Sequence, residues 1–379
     1  MTLLSGAYGR VTQWRREWYA HRPERRRRLD HPVVSVGNLI AGGSGKTPTV
    51  IAIARLLLAR GERPVVLTRG YGRCEPIDGV LVVSDGARVL EPVARSGDEP
   101  QLIARALPGV PVLVTADRYA AGAFAERTFR PTLSILDDGF QHVQLERDVD
   151  LLMVSSADLA ERVLPSGLLR EPLGAARLAD ALLVTGSDDD VATVSRVLGR
   201  ETAFKVTTRY ADLKGPRRTS VPDTADAARR TGVPDTADAT RRTGAPDDSH
   251  TAQSPDAART FQVRVIAFAG IARPRRFFDA LRACGYDVAA ELTFRDHHWF
   301  TAGDLARIQQ AAREQQASLV VTTEKDAVRL PSVTWDVPLA TLPMAVDIEP
   351  ADAFESWLTE RLAAARTTCP PKPRSSEGG

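Results

Sequence analysis

The sequence predicts an α/β protein: a mostly parallel sheet covered by helices, followed by a second, smaller α/β unit. Three observations carry this. Apolar runs of strand length alternate with helical patterns over residues 31–186 and again over 263–348, the mark of strand–helix–strand crossovers. A glycine-rich turn joins the first such run to the first long helix of that series. Between the two regions lies a stretch, residues 217–256, almost free of large apolar side chains.

In chain order, "HPVVSVG" (31–37) is a buried strand, and "KTPTVIAIARLLLAR" is a helix closed by Gly61. Proline suits a first helical turn and glycine the position after a helix end. "RPVVLT", "GVLVV", "VPVLVT" and "TLSILDD" are further strands, with "DEPQLIARAL" and "DRYAAGAFAERTF" as helices between them. "DVDLLMVSS" and "ADALLVTG" continue the series. After the gap, "VRVIAFAGIARPRRFFDALRACGYDV" reads as strand, glycine turn and helix. "DLARIQQAAREQQ", "SLVVTTEKDAVRL" and "PLATLPMAVDI" follow, and a last helix covers about 351–365. The expected organisation is a segment 1–30, a main domain 31–205, a linker 206–260, a smaller domain 261–365 and a polar tail 366–379.

The gap repeats with a twelve-residue period: "RRTSVPDTADAA", "RRTGVPDTADAT", "RRTGAPDDSH". Such composition cannot bury enough surface to offset its ordering entropy. It is expected to be a disordered insertion grown by tandem duplication.

Composition narrows the function classes. A chain of 379 residues has room for two domains. A net charge of +2 gives no reason to expect a nucleic-acid partner. Cys74, Cys284 and Cys369 form neither a metal spacing nor a disulfide framework, which favours a reducing, cytoplasmic setting. No apolar run reaches 18 residues and no signal-peptide pattern appears.

The first thirty residues stand out. Leu4, Tyr8, Val11, Trp14 and Trp18 recur at steps of three and four, which places them on one helix face. Arg10, Arg15, Arg16 and Arg22 lie mostly elsewhere around it, and Arg25 to Arg28 follow. Two readings stand side by side: a helix lying in a membrane interface, or a helix packing its apolar stripe on the protein's own core.

The turn "VGNLIAGGSGKTPT" (36–49) sits between strand and helix, the setting of a phosphate-binding P-loop. Amides of Gly42, Gly43, Ser44 and Gly45 can point at phosphate oxygens. Lys46 would reach the β- and γ-phosphates, and Thr47 would ligate Mg²⁺. The pattern expects a first glycine where this chain has Ile40; adjacent Gly42 and Gly43 restore backbone freedom. Downstream, "TLSILDDGFQH" ends an apolar strand in Asp137 and Asp138, the arrangement that holds Mg²⁺ beside a P-loop. Three more stretches are polar for their settings: "TRGYGR" (68–73), "SGDEPQL" (96–102) and "FRDHHWF" (294–300). Asp98 suits either a helix cap or a general base. His297 and His298 suit either a solvated turn or a site.

The set as a whole resembles the tetraacyldisaccharide 4'-kinase family. The matching pieces are "VGNLIAGGSGKTP", "LTRGYGR", "SGDEP", "LDDGFQH", "LPSGLLREP", "AFAGIARPRRFF", "FRDHHWF" and "TTEKDAVRL", in the family's order over most of 30–348. The double-glycine P-loop is itself similar to the family's. Departures are the repeat insertion, the tail, and Ser166 and Leu168 where alanine and proline are expected. The resemblance implies transfer of the ATP γ-phosphate to the 4'-hydroxyl of tetraacyldisaccharide 1-phosphate, a lipid A precursor, at the cytoplasmic face of the inner membrane. It implies Asp98 as base with His297 tuning it, and Glu171 as an added contributor to Mg²⁺ binding. It strengthens the interfacial reading of the first helix. Arg69, Arg73 and Arg118 are candidates for the substrate 1-phosphate or the nucleotide, because guanidinium matches phosphate geometry. A GTPase reading fails on spacing: in "TTEKD" (322–326) Lys325 and Asp326 are adjacent, with no residue between them.

Excising residues 217–256 is expected to leave kinase activity within about twofold of the full chain, because a solvated segment adds little to the core. A large loss in a phosphate-transfer assay would overturn the disorder reading.

Overall fold

The computed structural model describes residues 3–43, 45–215 and 263–368. The repeat insertion, the last eleven residues and Ser44 lie outside the described residues.

The strands are β1 (Val33–Asn38), β2 (Pro64–Thr68), β3 (Leu81–Asp85), β4 (Pro111–Val114), β5 (Leu133–Asp137), β6 (Val149–Ser155), β7 (Ala181–Thr185), β8 (Ala203–Tyr210), β9 (Arg264–Ala269), β10 (Asp287–Thr293), β11 (Leu319–Thr323), β12 (Leu339–Leu342) and β13 (Met344–Glu349). The helices are α1 (Leu3–Ala20), α2 (Lys46–Ala59), α3 (Val93–Ser96), α4 (Asp98–Ala106), α5 (Arg118–Thr128), α6 (Asp188–Leu198), α7 (Pro274–Ala283), α8 (Ala302–Glu314), α9 (Glu324–Ala327) and α10 (Ala351–Thr368).

Nine strands form the large sheet in the order β13-β8-β7-β6-β1-β5-β2-β4-β3. All neighbours are parallel except β13 with β8 and β3 with β4, at the two edges. The central strands are apolar along their whole length because both faces are covered. On one face Val34 and Val36 of β1 meet Val50, Ile53 and Leu57 of α2, with Ile103 of α4 and Phe354 and Leu358 of α10. The other face is covered by α5 through Ala121 and Ala125, and by α6 through Val194 and Leu198.

The smaller sheet runs β10-β9-β11-β12, all parallel. Phe277, Phe278 and Leu281 of α7 cover one face. Leu305 and Ile308 of α8 cover the other. This unit is an insertion into the larger one. The chain leaves after β8 and returns as β13, which pairs antiparallel with β8 from Met344↔Tyr210 to Glu349↔Lys205. The expected boundaries at 205 and 365 are corrected accordingly. β8 continues to Tyr210, and β13 with α10 belongs to the large sheet, because Val346, Ile348 and Phe354 are buried in its core.

The apolar stripe of α1 does not pack on the core. Leu4 is 70% exposed, Val11 61% and Trp14 63%. The buried face carries Ser5, Gly9 and Arg16 instead. Gly9 lies against Pro172 and Val163, and Ser5 Oγ donates to Ser166 Oγ at 2.7 Å. The unexpected serine at 166 therefore has a partner on α1. Not all of the basic cluster faces outward. Arg27 pairs with Asp117 at 2.8 Å, and Arg28 with Glu146 and Asp148, both at 2.7 Å.

Gly97 links two loops of the cleft. Its φ is +89°, and a Cβ there would sit 2.4 Å from the Tyr71 carbonyl. Gly97→Ala combines a left-handed backbone with a backbone clash and is expected to destabilise the fold by more than about 1 kcal/mol. A chemical-denaturation midpoint equal to wild type would refute this.

Candidate active site

The two units face each other across one large cavity of about 1590 Å³. Its walls include the P-loop, Asp137 and Asp138, the 294–298 loop and α9. The carboxyl ends of parallel strands are where open α/β sheets bind ligands.

The P-loop leaves β1 and enters α2 through Gly45, whose φ of +83° is left-handed. Gly42 is also left-handed, at +114°. The start of α2 carries no side-chain cap and no acidic residue in its first turn. Amides at the start of such a helix are suited to phosphate. Lys46 Nζ lies 3.1 Å from Asn38 Oδ1 and 3.5 Å from Asp138 Oδ1. Gly43 sits against Ala272 of the smaller unit, so that unit reaches the phosphate loop.

The β1–β5 register sets Val36 opposite Asp137, which brings the two aspartates level with the P-loop. Asp137 is buried; Oδ2 accepts a 3.4 Å bond from Thr68, and Oδ1 has no hydrogen-bond partner among the described residues. Burial, then the charges of Glu99 and Asp138, push its pKa up to about 7 despite Lys46 and Arg118. Asp138 adopts φ +56° and accepts from Arg170 at 2.7 Å. Burial alone would raise its pKa, but Lys46 and Arg170 hold it below the ordinary carboxylate value. A buried carboxylate oxygen with no donor, beside a second carboxylate and the Thr47 hydroxyl one helical step after Lys46, is an all-oxygen donor set of the kind Mg²⁺ takes. Among the described residues no three His, Cys, Asp or Glu side chains form a metal centre by themselves. Glu171 lines the same cavity, but Arg16 of α1 engages both of its carboxylate oxygens.

Asp98 is the first residue of α4, with Gly97 at the cap position, so it is not itself the cap. Its side chain is 1% exposed. Oδ1 accepts from the Glu99 amide at 2.9 Å. Oδ2 lies 2.8 Å from His297 Nδ1 and accepts from Arg329 at 2.8 Å. Burial pushes the Asp98 pKa up, but the His297 hydrogen bond and the charges of Lys325, His297 and Arg329 bring it below the usual value. A carboxylate partner assigns the imidazole proton to Nδ1. Nε2 then faces Lys325 Nζ at 3.4 Å. His297 has φ +58°. Gly72 permits the contact from above, since a Cβ there would meet Nδ1 at 2.8 Å. His298 turns away to Asp304 at 3.0 Å.

The three candidate arginines divide. Arg118 is buried and donates to the carbonyls of Thr115 and Ala116, while its Nε has no partner among the described residues. Burial pulls its pKa down to about 10 against the pull of Asp137. Arg69 lines the cavity. Arg73 donates to the carbonyls of its own loop, at Arg69 and Gly70, and lies outside the main cavity wall. Ser44 lies outside the described residues. The sequence reading missed Arg170, Lys325 and Arg329 as site residues. Each lies inside a motif already singled out, but its partner is distant in the chain: Arg170 meets Asp138 and Arg329 meets Asp98.

The family model for tetraacyldisaccharide-1-P 4'-kinase (LpxK) matches residues 1–363. A tetraacyldisaccharide 4'-kinase of Geobacter metallireducens is 38% identical over 334 residues, 87% of this chain and 88% of the relative. One from Syntrophus aciditrophicus is 36% identical over 353 residues, 92% of this chain and 88% of the relative. A crystal structure of LpxK from Aquifex aeolicus in complex with ATP superposes with a TM-score of 0.69 at 29% identity, covering 95% of this chain and 97% of that one. A P-loop, a pair of strand-end aspartates and a paired Asp–His across one cleft, in a chain matched over nearly its whole length, place this protein in the tetraacyldisaccharide 4'-kinase family: an ATP-dependent kinase that phosphorylates the 4'-hydroxyl of tetraacyldisaccharide 1-phosphate in lipid A biosynthesis.

Proposed function

We propose that Asp98 removes the proton from the 4'-hydroxyl while His297 orients and tunes it. The 2.8 Å contact between Asp98 and His297, made across the two units with His297 lining the cavity that also holds the P-loop, carries this reading. As the 4'-oxygen forms its bond to the γ-phosphorus, its proton passes to the Asp98–His297 pair. The bond from phosphorus to the β,γ-bridging oxygen breaks, and ADP leaves. Lys46 and the loop amides bind the phosphates and stabilise the charge that collects on them. Thr47, Asp137 and Asp138 would hold Mg²⁺; bound there, the ion neutralises phosphate charge. The unpartnered Oδ1 of Asp137 supports that fit. Of the three candidate arginines, Arg69 and Arg118 line the cavity, which supports a role for them in meeting phosphate. Arg16 uses Glu171 to fasten α1 beside the cavity.

The same reading places α1 in the membrane interface, at the cytoplasmic face of the inner membrane. Its outward stripe of Leu4, Tyr8, Val11 and Trp14 supports this, because the core does not use it. Arg10, Arg22 and Arg25 are exposed nearby and would each add about 1 kcal/mol at an anionic surface. Among the described residues no helix is long and apolar enough to cross a membrane. A substrate with four acyl chains requires its kinase to work at such a surface.

Transfer of labelled γ-phosphate from ATP to tetraacyldisaccharide 1-phosphate in detergent micelles tests the chemistry. Asp98→Ala is expected to lower kcat by about 10²–10⁴-fold, the usual contribution of a positioned base, and Lys46→Ala to cost at least as much. Near-normal turnover of Asp98→Ala would remove the base assignment.

Trp14→Glu is expected to weaken binding to anionic vesicles by at least about tenfold, since burying one large apolar side chain contributes about 1.5–3 kcal/mol. Co-sedimentation equal to wild type would argue against the interfacial role of α1.

A further inference from the structure

Asp98 belongs to the larger unit, yet among the described residues its hydrogen-bond and ion-pair partners other than the Glu99 amide come from the smaller one. Among these Arg329 is the most deeply placed. Its side chain is 1% exposed, as is that of Asp98. One guanidinium nitrogen donates to Asp98 Oδ2 at 2.8 Å. The other donates to the Gly270 carbonyl at 3.0 Å and to Asp326. Asp326 is fully buried and is itself fixed, by the Gly270 amide at 3.0 Å and by Thr323 Oγ1 at 2.7 Å. The same Gly270 carbonyl receives the His297 amide at 3.1 Å. One buried chain of bonds thus runs from Asp326 through Arg329 to Asp98, with Gly270 tying it to the histidine loop.

We propose that Arg329 is a positioning residue for the transfer step: it fixes the Asp98 carboxylate against His297 and sets how strongly that pair holds a proton. The proposal rests on the reading of Asp98 as base. The planar fork suits the task, because it can grip Asp98 and Asp326 at once where an ammonium would offer a single point charge. A carboxylate buried to this degree needs such a partner to remain ionised. The Asp98–His297 pair is faced by Asp296 from the histidine loop, by Lys325 and Arg329 from α9 and the residues after it, by Glu99 from the helix of Asp98, and by Tyr71 and Gly72 from the 68–73 loop. Asp326 shares the Arg329 charge, so it moderates what Arg329 does to Asp98.

The sign of the effect follows. A base acts when deprotonated, and Arg329 favours the deprotonated carboxylate. Removing it raises the proton affinity of the pair, which titrates as a unit, so the acidic limb of kcat/KM moves to higher pH. Removing the Asp326 charge leaves more of Arg329 for Asp98, so the limb moves to lower pH.

The test is the pH profile of kcat/KM for the full chain, with lipid substrate in mixed micelles at constant ionic strength. Wild type, Arg329→Met, Asp326→Asn and Asp98→Asn are compared. Arg329→Met is expected to shift the acidic limb up by about 1–3 units, the range for losing an adjacent opposite charge, and its deficit against wild type shrinks as pH rises. A deficit constant across pH means that Arg329 only holds the fold, which overturns the proposal. If Arg329→Met does not fold, Asp326→Asn decides: a downward shift supports the proposal and an unmoved limb overturns it. Asp98→Asn separates the two readings. If it keeps wild-type turnover, the base assignment is at fault; if it is inactive while both limbs stay fixed, only the role of Arg329 fails.

Discussion

The arrangement of this protein depends on keeping one carboxylate, Asp98, ionised while almost wholly out of water. An ionised carboxylate in the interior costs several kcal/mol unless it is paired and hydrogen-bonded. The larger unit supplies the carboxylate and one amide. The smaller unit supplies His297, Lys325 and Arg329. Neither unit can therefore complete this cluster alone, and the electrostatics of Asp98 and the seating of the two units are one constraint. The insertion of the smaller unit between β8 and β13 serves the same end. Two chain crossings hold it over the carboxyl ends of the large sheet.

A second buried charge cluster works at the other side of the cavity. Asp137 and Asp138 lie at the end of β5, and Lys46 and Arg170 answer Asp138 from the P-loop and from the segment before Glu171. Among the described residues Asp137 is left with an unanswered oxygen, and its pKa is pushed up to about 7. The contrast with Asp98 is chemical. Asp98 is saturated by protein cations and stays anionic, whereas Asp137 is under-compensated by the protein and fits a role as cation ligand. The next residue after Arg170, Glu171, faces α1 through Arg16. The first helix is thus fastened to the wall of the cavity by an ion pair, and its apolar stripe of Leu4, Val11 and Trp14 is left exposed.

What was legible in the sequence was local. The P-loop and the strand ending in Asp137 and Asp138 announce themselves because strand, turn and helix are contiguous. Alternation of strands and helices yielded the parallel sheet for the same reason. The resemblance to the kinase family brought Asp98 and His297 into one site, although nothing near either residue says that they touch. Hidden features were those whose partners are remote. The return of β13 to β8 spans the whole smaller unit, and β8 itself, with buried Phe204 and Val206 among polar neighbours, reads weakly as a strand. The orientation of α1 was left open because its stripe is equally suited to a core or a membrane. That its small and polar face, Ser5, Gly9 and Arg16, is the one turned inward is seen only once Ser166, Pro172 and Glu171 are found beneath it. Arg329 looked like one more arginine at the end of a helical turn.

Strain marks both ends of the cleft. Asp138 and His297 are non-glycine residues held in left-handed backbone, at φ +56° and +58°. Such conformations cost of order 1–3 kcal/mol each and persist where the surroundings over-determine them. Lys46 and Arg170 do so for Asp138. Asp98 and the Gly270 carbonyl do so for His297. The side-chain contacts that would serve the chemistry are therefore the same contacts that hold the backbone in place. Replacing His297 by alanine removes the imidazole and also the bond that holds its loop, so a loss of activity would mix two causes. Asparagine tolerates the left-handed region and keeps a donor toward Asp98. At position 297 it is the substitution that separates the proposed base chemistry from the backbone that presents it.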